Sequence, residues 1–156
     1  MVEKINKDCI FCKIASGEIS SVKIWEDEEH IAILDIMPNT KGMTLVLTKN
    51  HYDSYAFDMP DKAYSKIMLA AKKVAKLLEK GLKVQRIAIV MEGLGVNHVH
   101  IKLYPLYGLD DKFKEIWAPD KKFFHNYEGY ISTQTGPKLS LEELNKVAEE
   151  IRNNIK

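Results

Sequence analysis

The chain has 156 residues, a length typical of one domain. Hydrophobic residues make up 46% and charged residues 29%, which excludes collagen-like and wholly disordered classes. The formal net charge of +1 lacks the basic excess of duplex-DNA-binding domains, so we expect no DNA partner. The charged start MVEKINKD predicts no signal peptide, and no window reaches the roughly 18 uninterrupted apolar residues of a membrane helix. We therefore expect a cytoplasmic protein without a membrane partner.

Three apolar, β-branched segments in the first third of the chain predict strands. They cover residues 22–25, 31–34 and 43–48, and acidic, proline or glycine residues typical of turns lie next to them. Together these segments are typical of a meander of antiparallel strands.

The apolar period changes to that of a helix between Asp61 and Lys80. Apolar residues recur there at helical spacing while lysines occupy the other face, and Gly81 suits the C-cap. Two further strands follow at residues 86–91 and 98–104, and a glycine-containing turn connects them.

The remainder of the chain is aromatic-rich and then helical. Residues 112–137 show no regular period, whereas Ser140 and Glu143 form a capping-box pattern that opens a helix to about Asn153. Strands followed by a helix, two more strands and a final helix predict an α+β fold with an antiparallel sheet.

The fifth predicted strand carries two imidazoles and an ammonium on one face. His98, His100 and Lys102 alternate along it, and successive members are roughly 6.6 Å apart at 3.3 Å of rise per residue. An ordinary solvent-facing strand would show the same alternation. The preceding Gly93 and Gly95 favour a ligand site instead, because they let backbone N–H groups approach an anion. A neutral imidazole beside a bound phosphate is a competent nucleophile.

The two cysteines, Cys9 and Cys12, are separated by two residues. In a cytosolic chain this spacing is typical of metal or redox chemistry, although two buried thiols remain the alternative. A tetrahedral structural zinc site needs two more ligands, and His51 is a candidate for the third. His30 and His125 are predicted to be isolated surface or loop residues.

Taken in order, these segments resemble the amino-terminal half of histidine triad (HIT) proteins. The resemblance covers about residues 8–107, and the strand with two histidines falls where the family has its His-x-His-x-His signature. It implies a HIT-like fold, α+β with a five-stranded antiparallel sheet, a long helix and a C-terminal helix. Residues 1–107 would form the HIT core and residues 108–156 an extension of the same domain. The matching segments are DCIFCKI at 8–14, GEI at 17–19, WED at 25–27, LDI at 34–36, Pro38, KGMTLV at 41–46 and KNH at 49–51.

The resemblance implies nucleotide chemistry. His100 would attack the α-phosphate of a nucleoside phosphoramidate or dinucleoside polyphosphate and form a covalent nucleotidyl-histidine. Asp35 would accept hydrogen bonds from the ribose hydroxyls. The expected ligand is a purine nucleotide or a dinucleoside polyphosphate. Its base would lie between Ile14, Ile33 and Ile36, and its phosphate against Gly93, Gly95 and Val96.

The resemblance also implies a structural zinc ion and a homodimer. The zinc ligands would be Cys9, Cys12, His51 and His98, so that His98 positions His100 without attacking substrate. The dimer would pair through the long helix and the sheet edge.

The sequence departs from the family pattern at three positions of the signature. Lys102 replaces the third histidine, Gly95 a hydroxyl residue and Leu94 a glutamine. An ammonium can neutralise a phosphate but does not shuttle protons at pH 7 as imidazole does. Two alternatives to a hydrolase therefore stay open: a nucleotidyltransferase, and a nucleotide-binding adaptor with little turnover.

Overall fold

The computed structural model describes residues 5–118, 121–129 and 135–155. Within these ranges the secondary structure consists of five strands, three α-helices and a short 3-10 helix at Ala56–Asp58. In chain order the elements are α1 (Ile10–Ala15), β1 (Lys23–Glu26), β2 (His30–Leu34), β3 (Thr44–Thr48), α2 (Asp61–Leu82), β4 (Ile87–Val90), β5 (His100–Pro105) and α3 (Leu141–Ile155).

The five strands form one antiparallel sheet in the order β1-β2-β3-β5-β4. The predicted α+β class and the initial meander of three strands are therefore confirmed. In the centre of the sheet, His100 of β5 lies opposite Leu47 of β3, and Lys102 lies opposite Leu45. On its other side Lys102 pairs with Val90 of the edge strand β4.

The two faces of the sheet pack against different helices. The face that includes Val99, Ile101 and Leu103 is buried in the larger core with α2 and α3, as the alternation along the fifth strand predicts. The opposite face forms a smaller core with α1, built around Phe11 and Cys12. His100 and Lys102 belong to this second face because side chains alternate along a strand.

Helix α2 buries one apolar stripe, as predicted, but it ends later than Gly81. The C-cap is Lys83, in the left-handed conformation at φ 55°. Gly81 lies inside the helix, where a Cβ atom would come within 2.8 Å of the backbone of Ile151 in α3. The glycine is therefore required for close helix packing and not for helix termination.

The capping box of α3 is confirmed. The backbone N–H of Glu143 donates to Ser140 Oγ at 3.2 Å, and the N–H of Ser140 donates to Glu143 Oε2 at 2.8 Å. The backbone N–H and the hydroxyl of Ser140 both donate to this carboxylate, which stabilises its charge and lowers the pKa of Glu143. The helix then buries Leu144, Ala148 and Ile151 against α2.

Three local features differ from the sequence prediction. Helix α1 was not predicted, because its six residues are too few to show a helical period. Strand β5 begins at His100 and not at His98. His30 is buried at the start of β2, with Nδ1 3.0 Å from Asp27 Oδ1, so its prediction as a surface residue was wrong.

The aromatic-rich segment has no helix or strand in its described part, as predicted. Residues 119–120 and 130–134 of that segment lie outside the described ranges. Across the described part of the chain, no helix is long and apolar enough to cross a membrane.

Candidate active site and metal centre

Four potential metal ligands converge where α1 meets the sheet. Cys9 caps the start of α1 and Cys12 lies in its first turn, while His51 follows β3 and His98 precedes β5. Their ligand atoms all lie within 4.8 Å of one another. The structure thus brings together residues that are up to 89 positions apart in the sequence.

The distances within this cluster suit a tetrahedral metal. His98 Nδ1 lies 3.5 Å from the Sγ atoms of both cysteines, and His51 Nδ1 lies 3.4 Å from Cys12 Sγ. Metal–sulfur bonds of about 2.3 Å and metal–nitrogen bonds of about 2.0–2.1 Å at tetrahedral angles imply a sulfur–nitrogen separation of about 3.6 Å. Two thiolates and two imidazoles are also the ligand types that zinc prefers.

The surroundings of the cluster favour its metal-binding form. Burial lowers the pKa of His98 to about 4, so its imidazole is neutral and can bind a cation. His98 Nε2 donates to the carbonyl oxygen of Thr48 at 2.9 Å, which leaves Nδ1 as the ring nitrogen with a lone pair that could bind a metal. Burial, with Cys9 beside it, raises the pKa of Cys12. A divalent cation between the thiols would offset that unfavourable burial of negative charge.

His100 is held as a neutral imidazole with one nitrogen engaged. His100 is 4% exposed, and its Nδ1 lies 2.7 Å from the carbonyl oxygen of His98. Because a carbonyl accepts, Nδ1 carries the proton and Nε2 keeps its lone pair. Burial lowers the pKa of His100, and the charge of Lys102 lowers it further. Asp35 and Glu92 act in the opposite direction but do not reverse the shift.

Phe11 is a site residue that the sequence analysis did not identify. Its ring makes edge contacts with His98 and His100, with centroid separations of 5.9 Å and 5.3 Å. Phe11 lies between the two cysteines in sequence, so α1 brings it under the imidazoles when the thiols meet the histidines. Its position in the CxxC segment is the signal that could have indicated it.

The residues predicted to hold the base and ribose lie on the α1 side of the sheet and after β2. Ile33 is buried and Ile14 half-buried in the smaller core, whereas Ile36 is 43% exposed and is not part of that core. Asp35 is half-buried, and its Oδ1 accepts the backbone N–H of Met37 at 2.8 Å. This bond fixes the carboxylate in the turn after β2.

The glycine turn before β5 is tied to the loop after His51. Gly93 and Gly95 have φ of +73° and +92°. A Cβ atom on Gly93 would lie 2.7 Å from the carbonyl oxygen of Ser54, whereas one on Gly95 would have no neighbour within 4 Å. Val96 packs against the smaller core.

Asn97 adds polar bonds between the same two segments. Its Oδ1 accepts the backbone N–H of Ser54 at 3.0 Å, and its Nδ2 donates to Asp53 Oδ1 at 3.0 Å. His51 Nε2 lies 3.5 Å from that same Asp53 oxygen. The carboxylate of Asp53 therefore contacts both Asn97 of the glycine turn and His51.

Comparison with known proteins places the chain in a family. Residues 16–108 match the HIT domain, which is more than half of the chain. The chain belongs to the HIT family. An uncharacterized HIT-like protein of Methanocaldococcus jannaschii is 39% identical over 115 residues, covering 69% of this chain and 88% of the relative.

Solved HIT structures share the fold. A Hit-like protein of Bartonella henselae, involved in cell-cycle regulation, superposes with a TM-score of 0.67 at 25% identity, covering 96% of this chain and 98% of the other. A HIT family hydrolase of Clostridium thermocellum superposes with a TM-score of 0.59 at 25% identity, covering 70% of this chain and 99% of the other. The HIT-like fold expected from the sequence is thus confirmed.

The different surroundings of the two glycines predict different costs of substitution. Gly95→Ala should lower the free energy of unfolding only through the backbone strain of a left-handed conformation, by about 1–2 kcal/mol. Gly93→Ala has the same backbone strain, and its new Cβ atom would also lie too close to Ser54. This overpacking should lower the free energy of unfolding by about 1–3 kcal/mol more. Urea unfolding of both variants measures this difference. Equal free energies of unfolding would show that the contact with Ser54 is unimportant.

Proposed function

We propose that this protein is a nucleotide-binding hydrolase that attacks the α-phosphate of a nucleoside phosphoramidate or dinucleoside polyphosphate through a covalent nucleotidyl-His100. The observation that carries this proposal is the orientation of His100. Its Nδ1 is bonded to a backbone carbonyl and its pKa is lowered by burial, so Nε2 is available as a nucleophile.

Substrate binding in this proposal uses the groups around His100. Asp35 accepts hydrogen bonds from the ribose hydroxyls, and Ile14, Ile33 and Ile36 contact the base. The backbone N–H groups near Gly93, Gly95 and Val96 face the phosphate. Support comes from the fixed carboxylate of Asp35 and from the positive φ angles of the glycines, which suit a turn that presents N–H groups to an anion.

The proposed reaction has two steps. In the first, His100 Nε2 forms a bond to the α-phosphorus while the bond from phosphorus to the leaving group breaks. Lys102 stabilises the negative charge of the phosphate during this step. In the second step water attacks the phosphorus and loses one proton to a base, while the P–N bond breaks and its electron pair returns to Nε2.

A nucleotidyltransferase is the second candidate, and Lys102 is the observation that favours it. With lysine in place of a third histidine, the site lacks an imidazole to accept a proton from water. A phosphate acceptor is already ionised and needs no such base. The two activities can be distinguished by adding pyrophosphate to the reaction. A hydrolase should release most of the nucleotide to water, whereas a transferase should transfer most of it to pyrophosphate.

We also propose that Cys9, Cys12, His51 and His98 hold a structural zinc ion. The cluster distances and the neutral state of His98 support this ligand set. Zinc would anchor α1 to the segments that precede and follow the active-site strand, and His98 would position His100 through its carbonyl oxygen. The ion itself would not contact the nucleotide.

Removal of one ligand tests the zinc proposal. Protein prepared with zinc should contain about one ion per chain, and Cys12→Ser should lose most of it and unfold at a lower temperature, because metal binding contributes to folding free energy. His125→Asn changes an exposed histidine outside the cluster and serves as the control. Elemental analysis and thermal unfolding measure both effects. Equal zinc contents for the parent protein and Cys12→Ser would contradict the site.

The role of Asp35 predicts a preference for ribonucleotides. Asp35→Asn keeps the acceptor for the Met37 N–H but removes the charge that binds the hydroxyls. Loss of a charged hydrogen bond costs about 1.5–3 kcal/mol, so affinity for a ribonucleotide should fall about ten- to a hundred-fold. Affinity for the 2′-deoxy nucleotide should fall much less. Calorimetric titration with the two nucleotides measures this, and equal weakening of both would disprove the assignment.

Substitution of His100 and Lys102 tests the chemistry. His100→Ala should abolish the nucleotidyl adduct seen by mass spectrometry while nucleotide binding persists. Lys102→Arg should keep part of the activity, whereas Lys102→Met should raise the barrier by a few kcal/mol through loss of charge. A strongly faster Lys102→His variant would favour the transferase or adaptor. Full activity of His100→Ala would exclude the covalent mechanism.

A further inference from the structure

We propose that Glu92 is the base that activates water for release of the nucleotide from His100, and that Tyr127 positions its carboxylate. This inference rests on the proposed nucleotidyl-His100. It adds a catalytic residue outside the signature strand and gives the segment after residue 108 a part in the reaction.

The need for such a base follows from the residues already assigned. Water that attacks the phosphorus must lose a proton, and the ammonium of Lys102 has no lone pair to accept one. His98 uses Nε2 to donate to Thr48 and directs Nδ1 at the thiols. Asp35 is bonded to the turn after β2 and is assigned to the ribose.

Strand β4 ends beside the strand that carries His100 and Lys102, two residues before Glu92. Strands β4 and β5 pair antiparallel, with Val90 opposite Lys102 as the last pair. Directly opposite residues share a face, so Val90 lies on the face of the sheet that carries Lys102 and His100. Glu92 follows Val90 by two residues, in the turn that leads back to His98.

Electrostatics and packing agree with this placement. The charge of Glu92 acts on the imidazole of His100, in the direction that raises its pKa. Glu92 is half-buried and directly precedes Gly93, whose backbone lies against Ser54. The carboxylate is thus attached to the turn that is proposed to face the phosphate, which is where an attacking water must be.

Tyr127 connects the C-terminal segment to this carboxylate. Its hydroxyl donates to Glu92 Oε2, across 35 positions of sequence. Such a bond restricts the rotamers of Glu92 and orients its oxygens. Tyr127 is therefore a positioning residue, because it acts on the reaction through Glu92.

The proton balance of the release step is complete with these groups. Water oxygen forms a bond to phosphorus, the P–Nε2 bond breaks, and its electrons return to the imidazole, which keeps its proton on Nδ1. The proton released by the water moves to the Glu92 carboxylate. In the next turnover that proton serves an amine leaving group, or it passes to solvent when the leaving group is a phosphate.

The test separates adduct formation from adduct release in single-turnover reactions with a diadenosine polyphosphate, because its phosphate leaving group needs no proton from Glu92. Glu92→Gln keeps the size of the side chain and an acceptor for Tyr127 but cannot take a proton. Adduct formation should stay within a few-fold of the parent protein, while release should slow by roughly 10²–10⁴-fold, the usual contribution of a general base. The adenylylated protein should accumulate by mass spectrometry.

The positioning role of Tyr127 is tested by comparing the effects of the single variants with that of the double variant. Tyr127→Phe should slow release about ten-fold, and adding it to Glu92→Gln should slow release no further, because the tyrosine acts through the carboxylate. Matched controls are Glu149→Gln on the exposed face of α3 and Tyr107→Phe, whose hydroxyl donates to Lys41 instead. Both controls should release the nucleotide at the parent rate.

Hydroxylamine distinguishes a lost base from a distorted site. It is a stronger nucleophile than water and needs no base, so it should discharge adenylylated Glu92→Gln about as fast as the parent adduct. A variant that resists hydroxylamine as well would contradict the role of Glu92 as a base.

Two further outcomes are decisive. If the parent protein forms and releases the adduct and Glu92→Gln releases it equally fast, this inference is wrong while the proposed function stands. If the parent protein forms no adduct at all, the proposed function is wrong and this inference fails with it.

Discussion

Both ring nitrogens and the backbone carbonyl of His98 are engaged, and the site depends on these three contacts. Nδ1 faces the two thiols of the α1 segment, Nε2 donates to Thr48 in β3, and the carbonyl oxygen accepts from His100. The same residue thus joins the amino-terminal helix, the centre of the sheet and the proposed nucleophile. Its complete burial makes each contact strong, because water does not compete for these atoms.

The proposed chemistry depends on a difference between His98 and His100, which are hydrogen-bonded through different ring nitrogens. Burial keeps both imidazoles neutral, but each is bonded through a different nitrogen. His98 directs Nδ1 at the cysteines, whereas His100 uses Nδ1 as a donor and keeps the lone pair of Nε2. In the proposed roles, the environment alone would make one histidine a metal ligand and the other a nucleophile.

Much of the fold could be predicted from the sequence, because strand and helix periods are properties of contiguous residues. The long helix, the capping box at Ser140 and the apolar face of the fifth strand are of this kind. Helix α1 is too short to show a period. The helix expected to end at Gly81 continues to a C-cap at Lys83, because Gly81 is needed for close packing against Ile151 and not for termination. Residue types and the family pattern indicated the four metal-ligand candidates. The contact of Glu92 with Tyr127 could not be predicted, because no local pattern marks a bond between distant loops.

The bonds between the glycine turn and the loop after His51 have an energetic consequence. Asn97 and Gly93 on one side contact Asp53 and Ser54 on the other, so the segments proposed to bind the phosphate and the metal are joined to each other. If binding of one ligand orders these joined segments, the second ligand does not have to order them again. The two binding events are then positively coupled. Such coupling is reciprocal: a nucleotide would strengthen metal binding by the same free energy through which the metal strengthens nucleotide binding.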